Sequence, residues 1–336
     1  MKNSTDFAKL VEGFLTDYLP LQRNYSKNTI SSYKDSLKLF VRYITIEKGF
    51  KLDSFDMSKF NRDIIIGYLE WLRSQGCSMA TSNQRLAAIK SFTAYSQIES
   101  IEYLDSLLKI NSIRSKKENS RNIDSLTENQ MKCLINIPDT HTKSGLRHKT
   151  ILCLLYDSAA RVQELCDIRL LDIYLGDNPK VKLKGKGRKN RVVPITSQMR
   201  DLLKQYIEIY HTHSLDDEYL FVNKSNTKLS RDGIDYIVKK YSNMMRASDN
   251  SFPSKVHPHM FRHSKAMHML AADIPLVYIR DFLGHEDIST TMIYAKADNQ
   301  LKEEAINKLA SKIVEVDDYK DWTKDNDLMS FLDKFK

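Results

Sequence analysis

The stretch that decides the fold runs from His259 to Tyr294 and reads HMFRHSKAMHMLAADIPLVYIRDFLGHEDISTTMIY. His259 and Arg262 are three residues apart, so on a helix they share a face. A second helical stripe follows, and Gly284 fits the left-handed position just past a helix end. His285 comes directly after this glycine, and Tyr294 comes nine residues later. The four selected groups, namely two imidazoles, one guanidinium and one phenol, therefore fall within 36 residues.

These groups suit an attack on a phosphate diester. Free tyrosine has a pKa of about 10, so roughly one in a thousand is phenolate at pH 7, a deficit of about 4 kcal/mol. A nearby base or positive field must offset that deficit. The planar donors of arginine match the negative charge that gathers on the phosphate oxygens. Taken singly, a tyrosine at helical spacing is more often a packing residue, and Leu-Gly-His is more often a plain helix end.

The composition predicts a two-domain, mainly helical protein. The chain has 336 residues, of which 41% are hydrophobic and 28% charged, with only ten glycines and seven prolines. No run approaches the roughly 18 apolar residues of a membrane span, and the first residues lack the apolar core of a secretory signal. The four cysteines are scattered without metal-ligand spacing. We therefore expect a cytoplasmic protein with reduced thiols.

The net charge of +9 is unevenly spread. Residues 1–120 carry 18 Lys and Arg against 13 Asp and Glu, and residues 121–296 carry 27 against 20. Residues 297–336 carry 7 against 10. The first two blocks suit a polyanion and the tail does not. Basic charge alone is weak support, because many basic domains bind no nucleic acid.

Residues 1–112 carry four apolar stripes at helical spacing, which predicts a helical bundle with a short fifth helix near residues 103–108. Two polar faces of this bundle could meet DNA phosphates, although a capped helix start and a solvated face explain them equally well. The candidate DNA contacts are Lys27, Asn28, Thr29 and Tyr33 on one face, and Asn83, Arg85 and Lys90 on the other. Residues 113–124 are polar without periodicity, which predicts an exposed linker. The following LTENQ is typical of a capped helix start and opens the second domain.

Arg161 follows an apolar run in the second domain, and Glu164 lies three residues further on. A buried arginine is rare without a partner. Two interpretations stay open: Arg161 points into a cleft and is fixed by Glu164, or the two residues form a surface ion pair.

Residues 181–195, VKLKGKGRKNRVVPI, predict two short strands around a glycine-containing turn. Lys186 lies between two glycines at that turn, where its mobile ammonium could protonate a leaving alkoxide. The spacing leaves Lys184 and Lys189 as rivals. The order GxxxxGK[ST] is missing, so a nucleotide-binding P-loop is not supported. Residues 218–222, EYLFV, predict a further short strand.

The histidines do not predict a metal site. His259 and His263 have the i,i+4 spacing that can hold a metal, but no HExxH motif is present. His211 and His213 belong to no wider ligand set. We therefore expect no metal ion.

Five motifs occur in one order along the chain: ARVQEL, GKGRKNRVVP, HPHMFRH, LGH and the final Tyr294. Together they resemble the tyrosine recombinase (phage integrase) family, in particular Xer-like and transposon-borne integrases. The resemblance covers residues 125–296 strongly and residues 5–110 as the helical core-binding type of domain. It implies a mainly α chain: an N-terminal helical bundle of the SAM-like type, and a mixed α+β catalytic domain with a small antiparallel sheet.

The resemblance assigns the scissile phosphate to three side chains. Arg161 and Arg262 would clamp it, and His285 would hydrogen-bond one of its oxygens. Glu164 would support this set without acting itself. The family often has Thr-Gly before the first arginine, whereas this chain has Ser-Ala-Ala at residues 158–160. The loss of glycine could alter the local turn but leaves the arginine in place.

The resemblance also assigns the nucleophile and the proton transfers. Tyr294 would attack to give a 3′-phosphotyrosyl link, and His259 would assist proton transfer with it. Lys186 would be the general acid toward the 5′-oxygen leaving group. Because the covalent link conserves bond energy, the reaction would require neither ATP nor a metal ion.

The implied partner is double-stranded DNA with inverted-repeat recombination sites. The chain would close as a C-shaped clamp and assemble as a homotetramer on two sites, with residues 297–336 docked on the next protomer; folding back on its own chain or disorder is the alternative. The expected role is integration, excision or transposition of a mobile element. Xer-type dimer resolution, a non-catalytic DNA-binding regulator and a relaxing topoisomerase are the alternatives. A metal-dependent nuclease is the least supported.

Overall fold

The computed structural model describes residues 5–116, 124–185, 190–212, 217–223, 225–297 and 330–334. The chain divides into two compact units, Met1–Arg121 and Asn122–Lys336. The first unit is helical in its described part, and the second combines helices with a three-stranded antiparallel sheet. The expectation of a mainly α chain with one small antiparallel sheet is confirmed.

Helices build the first unit: α1 (Asp6–Gly13), α2 (Lys27–Arg42), α3 (Arg62–Ser74), α4 (Met79–Glu99) and α5 (Leu104–Asn111). The first four begin where a polar side chain accepts a backbone N–H of the first turn, at Thr5, Ser26, Asn61 and Ser78. Helix α1 continues as a π-helical segment, Phe14–Gln22, which contains Pro20. Proline has no N–H to donate, so it is incompatible with a regular α-helix interior. The predicted bundle with a short fifth helix is confirmed.

Aromatic side chains fill the core of the first unit. Phe7 meets Phe55 edge-on at 5.0 Å and Phe92 at 5.7 Å between ring centroids. Phe40 meets Tyr68 in the same way at 5.3 Å. All five rings are buried, and each such pair adds about 0.5–1.5 kcal/mol beyond the burial of its area. This core fixes the helices and leaves their outer faces available.

The described part of the second unit contains the α-helices α6 (Glu128–Asn136), α7 (Lys143–Asp157), α8 (Val162–Cys166), α9 (Ser197–Tyr210), α10 (Arg231–Ser248), α11 (Pro258–Ala271), α12 (Leu276–Leu283) and α13 (Ser289–Ala297), and a short 3-10 helix at Leu170–Asp172. The predicted capped start is observed at α6, where Thr127 and Gln130 form a capping box. Helix α7 is buried around most of its circumference and packs against α9 and α11. Among the described residues, none of the helices is long and apolar enough to cross a bilayer.

The sheet has the order β1 (Ile173–Tyr174), β2 (Lys180–Lys184) and β3 (Asn190–Pro194). Strands β2 and β3 are antiparallel, which confirms the predicted hairpin. Val181 lies opposite Val193, and Leu183 lies opposite Arg191. Side chains alternate between the faces of a strand, so Arg191 shares the inner face with buried Leu183.

The prediction of a strand at residues 218–222 is wrong. Only isolated bridges occur there, from Tyr219 to Arg169 and from Val222 to Lys228. Leu220 is fully buried, and its N–H donates to Ile168. The apolar run therefore marks burial of a loop against the core, which the pattern alone does not distinguish from a short buried strand.

Candidate active site

Helix α11 places Arg262 in the interior of the second unit. Arg262 is only 1% exposed. Its two terminal nitrogens donate hydrogen bonds to the carbonyls of Ala159 at 2.9 Å and Leu283 at 2.6 Å. Burial, followed by repulsion from Arg161 and Arg191, lowers the pKa of Arg262 to about 9. The guanidinium is still protonated at pH 7, and each terminal nitrogen carries a second hydrogen. A cation held mainly by neutral carbonyls in a dry setting is suited to binding an anion.

The turn before Arg161 is built without the family's glycine. Ala159 is buried and has a φ of +46°, in the left-handed region that glycine adopts most easily. Its carbonyl is one of the two that Arg262 binds. Alanine thus adopts the left-handed conformation at this turn, and Arg161 stands at the N-cap of α8.

Glu164 is a buried carboxylate bound by two arginines. The Arg161 Nη1 lies 2.8 Å from its Oε1, and the Arg161 backbone N–H donates to its Oε2 at 2.7 Å. Arg191 binds both oxygens, at 2.7 and 2.8 Å. Burial acts to raise the pKa of Glu164, but the hydrogen bonds and charge of Arg191 and the bonds from Arg161 outweigh it, so the pKa is lowered. The Glu164 side chain is 4% exposed and that of Arg161 is 40% exposed, so Glu164 holds Arg161 from the interior while the guanidinium stays accessible.

Arg191 also supports the turn that carries His285. Its Nε donates to the carbonyl of Phe282 at 3.2 Å. Gly284 ends α12 with a φ of +66°, which confirms the predicted left-handed glycine. A Cβ at this glycine would lie 2.8 Å from the Cδ of Arg191. Glycine is therefore required both by its backbone conformation and by the arginine packed on it.

His285 is oriented by a buried hydroxyl. Its Nδ1 lies 2.9 Å from the Oγ1 of Thr291, a fully buried residue on α13. Burial, followed by the charges of Arg262 and Arg161, lowers the pKa of His285 to about 4. The imidazole is therefore neutral at pH 7. Because Thr291 occupies Nδ1, Nε2 is the nitrogen that can meet a phosphate oxygen.

Tyr294 lies on α13 and is 1% exposed. Its hydroxyl is 3.0 Å from the Nδ1 of His263. Burial raises the pKa of Tyr294, while the charges of Arg262 and Arg161 act in the opposite direction. Both guanidiniums therefore lie close enough to favour the phenolate electrostatically.

His259 lies at the exposed end of this group. Its ring meets the ring of His263 edge-on, with centroids 4.5 Å apart. Desolvation of the His259 ring, followed by repulsion from His263 and Arg262, lowers the pKa of His259 to about 4. The hydroxyl of Tyr294 thus contacts His263 directly, and His259 packs behind that imidazole.

The candidate lysines are only partly covered by the described residues. Lys186 and Lys189 lie outside them. The Nζ of Lys184 is 3.1 Å from the carboxylate of the fully buried Asp172. In this structure the Lys184 ammonium is therefore engaged by that carboxylate.

In the first unit, the two predicted DNA-binding faces adjoin each other. Helices α2 and α4 are neighbours, and the Arg85 Nη1 donates to the Ser36 hydroxyl at 2.8 Å. Gln84 donates to Ser32 at 3.4 Å. The two polar faces are therefore parts of one surface.

The candidates on this surface differ in availability. Lys27 and Asn28 are exposed, and Lys90 is partly exposed. Thr29 contacts the Ser26 cap, Tyr33 stacks on Tyr25 with ring centroids 6.0 Å apart, and Asn83 binds both backbone groups of Lys116. Their assignment as DNA contacts stays a prediction.

Two residues of the site were missed from the sequence. Arg191 could have been found from strand alternation, because it falls in register with the inward Leu183. His263 was weighed only as a metal ligand beside His259, whereas the structure joins it to Tyr294. Neither contact follows from spacing, because each depends on a residue distant in sequence.

The model of the phage integrase family matches residues 124–301, and the model of its N-terminal SAM-like domain matches residues 11–99. The chain is 30% identical to the tyrosine recombinase XerC of Staphylococcus carnosus over 87% of this chain and 94% of that relative. It is 32% identical to XerD of Oceanobacillus iheyensis, with 82% and 90% covered. It is 29% identical to the putative integrase/recombinase y4rC of Sinorhizobium fredii, with 92% and 93% covered.

Solved structures share the fold at lower identity. XerH recombinase in a post-cleavage complex with its difH substrate aligns with a TM-score of 0.68 and 22% identity, over 85% of this chain and 81% of that one. The Tn1549 transposon integrase in complex with transposon right end DNA aligns with a TM-score of 0.68 and 14% identity, over 89% and 98%.

Proposed function

The chain belongs to the phage integrase family of tyrosine recombinases, and on this premise we propose that it is a site-specific DNA recombinase that cuts and rejoins strands through Tyr294. The observation that carries the proposal is the grouping of that phenol with two guanidiniums. The charges of Arg262 and Arg161 both act on the phenol, and both lower the pKa of His285. Arg161 and Arg191 both bind the carboxylate of Glu164, whose charge also acts on Arg262.

An excess of positive charge around a buried phenol is the environment that a phosphate diester requires. A phosphate bound by Arg161 and Arg262 would neutralise charges that now repel each other. As negative charge grows on the non-bridging oxygens in the transition state, the same groups bind it more strongly. The neutral His285 donates a hydrogen bond from Nε2 to one of these oxygens. Glu164 keeps Arg161 in place through the contacts described above.

The proposed reaction is a transesterification. The Tyr294 oxygen bonds to phosphorus and loses its proton with assistance from His259, while the bond to the 5′ oxygen breaks. Lys186, which lies outside the described residues, supplies the proton to that leaving oxygen. The 5′ hydroxyl of a partner strand then attacks the 3′-phosphotyrosyl link and releases Tyr294. Bond energy is retained throughout, so the proposal requires no ATP.

The catalytic domain of this proposal is residues 125–296, and residues 1–112 form the DNA-binding domain. The joined polar surface of α2 and α4 supports the second assignment. If six to ten phosphates are contacted, DNA affinity falls about 10³- to 10⁵-fold between 50 and 200 mM salt. A salt titration of binding to duplex DNA measures this slope.

The biological role that we propose is integration, excision or transposition of a mobile element in the cytoplasm. Chromosome or plasmid dimer resolution is the second candidate, because several relatives at 30–32% identity carry Xer names. Inverted repeats in the DNA that flanks the gene would favour the mobile element. Their absence, with recombination at a chromosomal site, would favour dimer resolution.

We further propose assembly as a homotetramer on two DNA sites, with the tail from residue 297 docked on the next protomer. Exposed apolar side chains on the neighbouring helices α12 and α13, and on the residue just before α13, support a docking surface: Val277 and Tyr278 on α12, Met292 and Ile293 on α13, and Ile288 before α13. A chain ending at residue 297 should bind single sites but fail to form the tetramer, as measured by light scattering on DNA. An unchanged tetramer would reject the tail exchange.

A covalent trap tests the chemistry. With a nicked suicide site, the wild-type protein should form a protein–DNA adduct, and Tyr294→Phe should form none while its DNA affinity stays within about threefold. The matched control is Tyr236→Phe, because Tyr236 is 67% exposed on α10 and should leave the adduct unchanged. A Tyr294→Phe protein that keeps its full biological activity would instead identify a non-catalytic regulator.

A further inference from the structure

We propose that His263 is the direct proton acceptor of Tyr294, so that this imidazole is a catalytic residue additional to the six assigned by family resemblance. The inference deepens the proposed function and rests on it, because it assumes that Tyr294 is the nucleophile. It is carried by the hydrogen bond of 3.0 Å between the Tyr294 hydroxyl and the His263 Nδ1. That bond is made by a phenol only 1% exposed, so water does not compete for it freely.

The protonation state of His263 determines which group donates the proton in this hydrogen bond. A neutral imidazole carries one hydrogen and one free lone pair, whereas an imidazolium accepts no hydrogen bond. Burial, followed by repulsion from His257 and Arg262, lowers the pKa of His263 below its ordinary 6.5, with Asp124 acting against them. His263 is therefore neutral at pH 7. Nδ1 then accepts the phenolic hydrogen when the ring hydrogen lies on Nε2.

The position of His263 on α11 also fits the role. It follows Arg262 directly, so a single helix fixes both the cation that binds the phosphate and the base that binds the phenol. On its other side, the ring of His259 packs edge-on at 4.5 Å. His259, to which the family resemblance gives the proton transfer, thus packs against the imidazole that is hydrogen-bonded to the phenol.

The step balances without a further reactant. The Tyr294 oxygen forms a bond to phosphorus, its hydrogen passes to the His263 Nδ1, and the bond from phosphorus to the 5′ oxygen breaks. The leaving oxygen takes its proton from the general acid. In the reverse step the incoming 5′ hydroxyl gives its proton to the group that acted as general acid, its oxygen bonds to phosphorus, and the imidazolium returns its proton to the departing phenolate. Such a positioned base contributes typically about 10²- to 10⁴-fold in rate.

The test compares two variants at this position. His263→Leu removes the acceptor, and His263→Asn places an amide oxygen close to where Nδ1 lies but cannot titrate. Single-turnover adduct formation on the suicide site is measured from about pH 5 to 9, with DNA affinity measured in parallel. We expect His263→Leu to slow the adduct about 100-fold or more with affinity within threefold. His263→Asn should retain more of the rate and lose the decline towards acid pH that we expect of the wild type.

His268→Leu is the matched control. His268 lies on the same helix and binds Tyr156 at 3.0 Å and the Leu126 carbonyl at 2.9 Å. This variant should lose thermal stability but form the adduct at the wild-type rate. If His263→Leu fails to fold, the test rests on His263→Asn alone. A His263→Asn protein whose rate falls at acid pH in the same way as the wild type would overturn the inference.

The two proposals fail in different ways. A wild-type protein without a Tyr294-dependent adduct would reject the proposed function. A normal Tyr294-dependent adduct, together with wild-type rate and pH profile in His263→Leu, would reject only the role of His263.

Discussion

Arg191→Met should destabilise the second unit by about 3–5 kcal/mol, the usual cost of removing one partner from a buried ion pair. The structure supports this magnitude, because Arg191 makes hydrogen bonds of 2.7 and 2.8 Å to a carboxylate whose side chain is 4% exposed. Two charge-assisted bonds at about 1.5–3 kcal/mol each give the same range. Methionine keeps the length of the side chain and most of its packing, so the loss reports chiefly on charge and hydrogen bonding.

Calorimetry of the full chain is the assay, since a protein with two units need not unfold in one transition. The melting temperature of a unit of this size shifts by about 2–4 °C per kcal/mol of stability, so the Tm of the second unit should fall by about 10 °C. Arg200→Met is the control, because Arg200 pairs with Asp201 at the same 2.8 Å on the surface. It should cost less than about 0.5 kcal/mol.

A double-mutant cycle isolates the pair. Glu164→Gln should also be strongly destabilising, because it leaves Arg161 and Arg191 without their counter-charge. The double variant Glu164→Gln with Arg191→Met should cost less than the sum of the two single changes by about 1–3 kcal/mol. If Arg191→Met costs no more than Arg200→Met, or if the two single changes are additive, the reasoning from the buried ion pair is refuted.

Further predictions concern backbone strain and pH. Ala159→Gly should change the free energy of unfolding by less than about 1 kcal/mol. Glycine relieves about 1–2 kcal/mol of left-handed strain, but it adds entropy to the unfolded chain and removes one buried methyl worth about 0.8 kcal/mol. Urea unfolding measures the difference. Gly284→Ala should destabilise by more than about 1–2 kcal/mol, since its Cβ meets Arg191 in addition to the strain, and thermal unfolding in parallel with Ala159→Gly separates the two cases. The free energy of unfolding should fall as pH drops from 6.5 towards 4. In that range the histidines of the unfolded chain take up protons, whereas His259 and His285 in the folded chain, with pKa values of about 4, do not. His285→Asn should make this decline shallower, as measured by melting curves at a series of pH values.

The sequence by itself determined the helices, the hairpin and the residues of the site that lie near each other in the chain. Apolar periodicity, helix caps and a glycine after a helix act within a few residues, so they are legible without the fold. The pair Arg161 and Glu164 and the turn at Gly284 are of this kind. The order of the motifs then indicated the family from residues that are each uninformative alone.

Only the tertiary structure decided the partners of these residues. Arg191 reaches Glu164 across 27 residues, His263 reaches Tyr294 across 31, and Arg262 reaches the Ala159 carbonyl across 103. Such contacts depend on how helices and strands pack, and the spacing of two residues in sequence does not constrain them once a turn intervenes. For the same reason the apolar run at residues 218–222 predicted a strand where the fold buries a loop. The sequence determines which groups are present, and the packing of the helices determines which imidazole is hydrogen-bonded to the phenol.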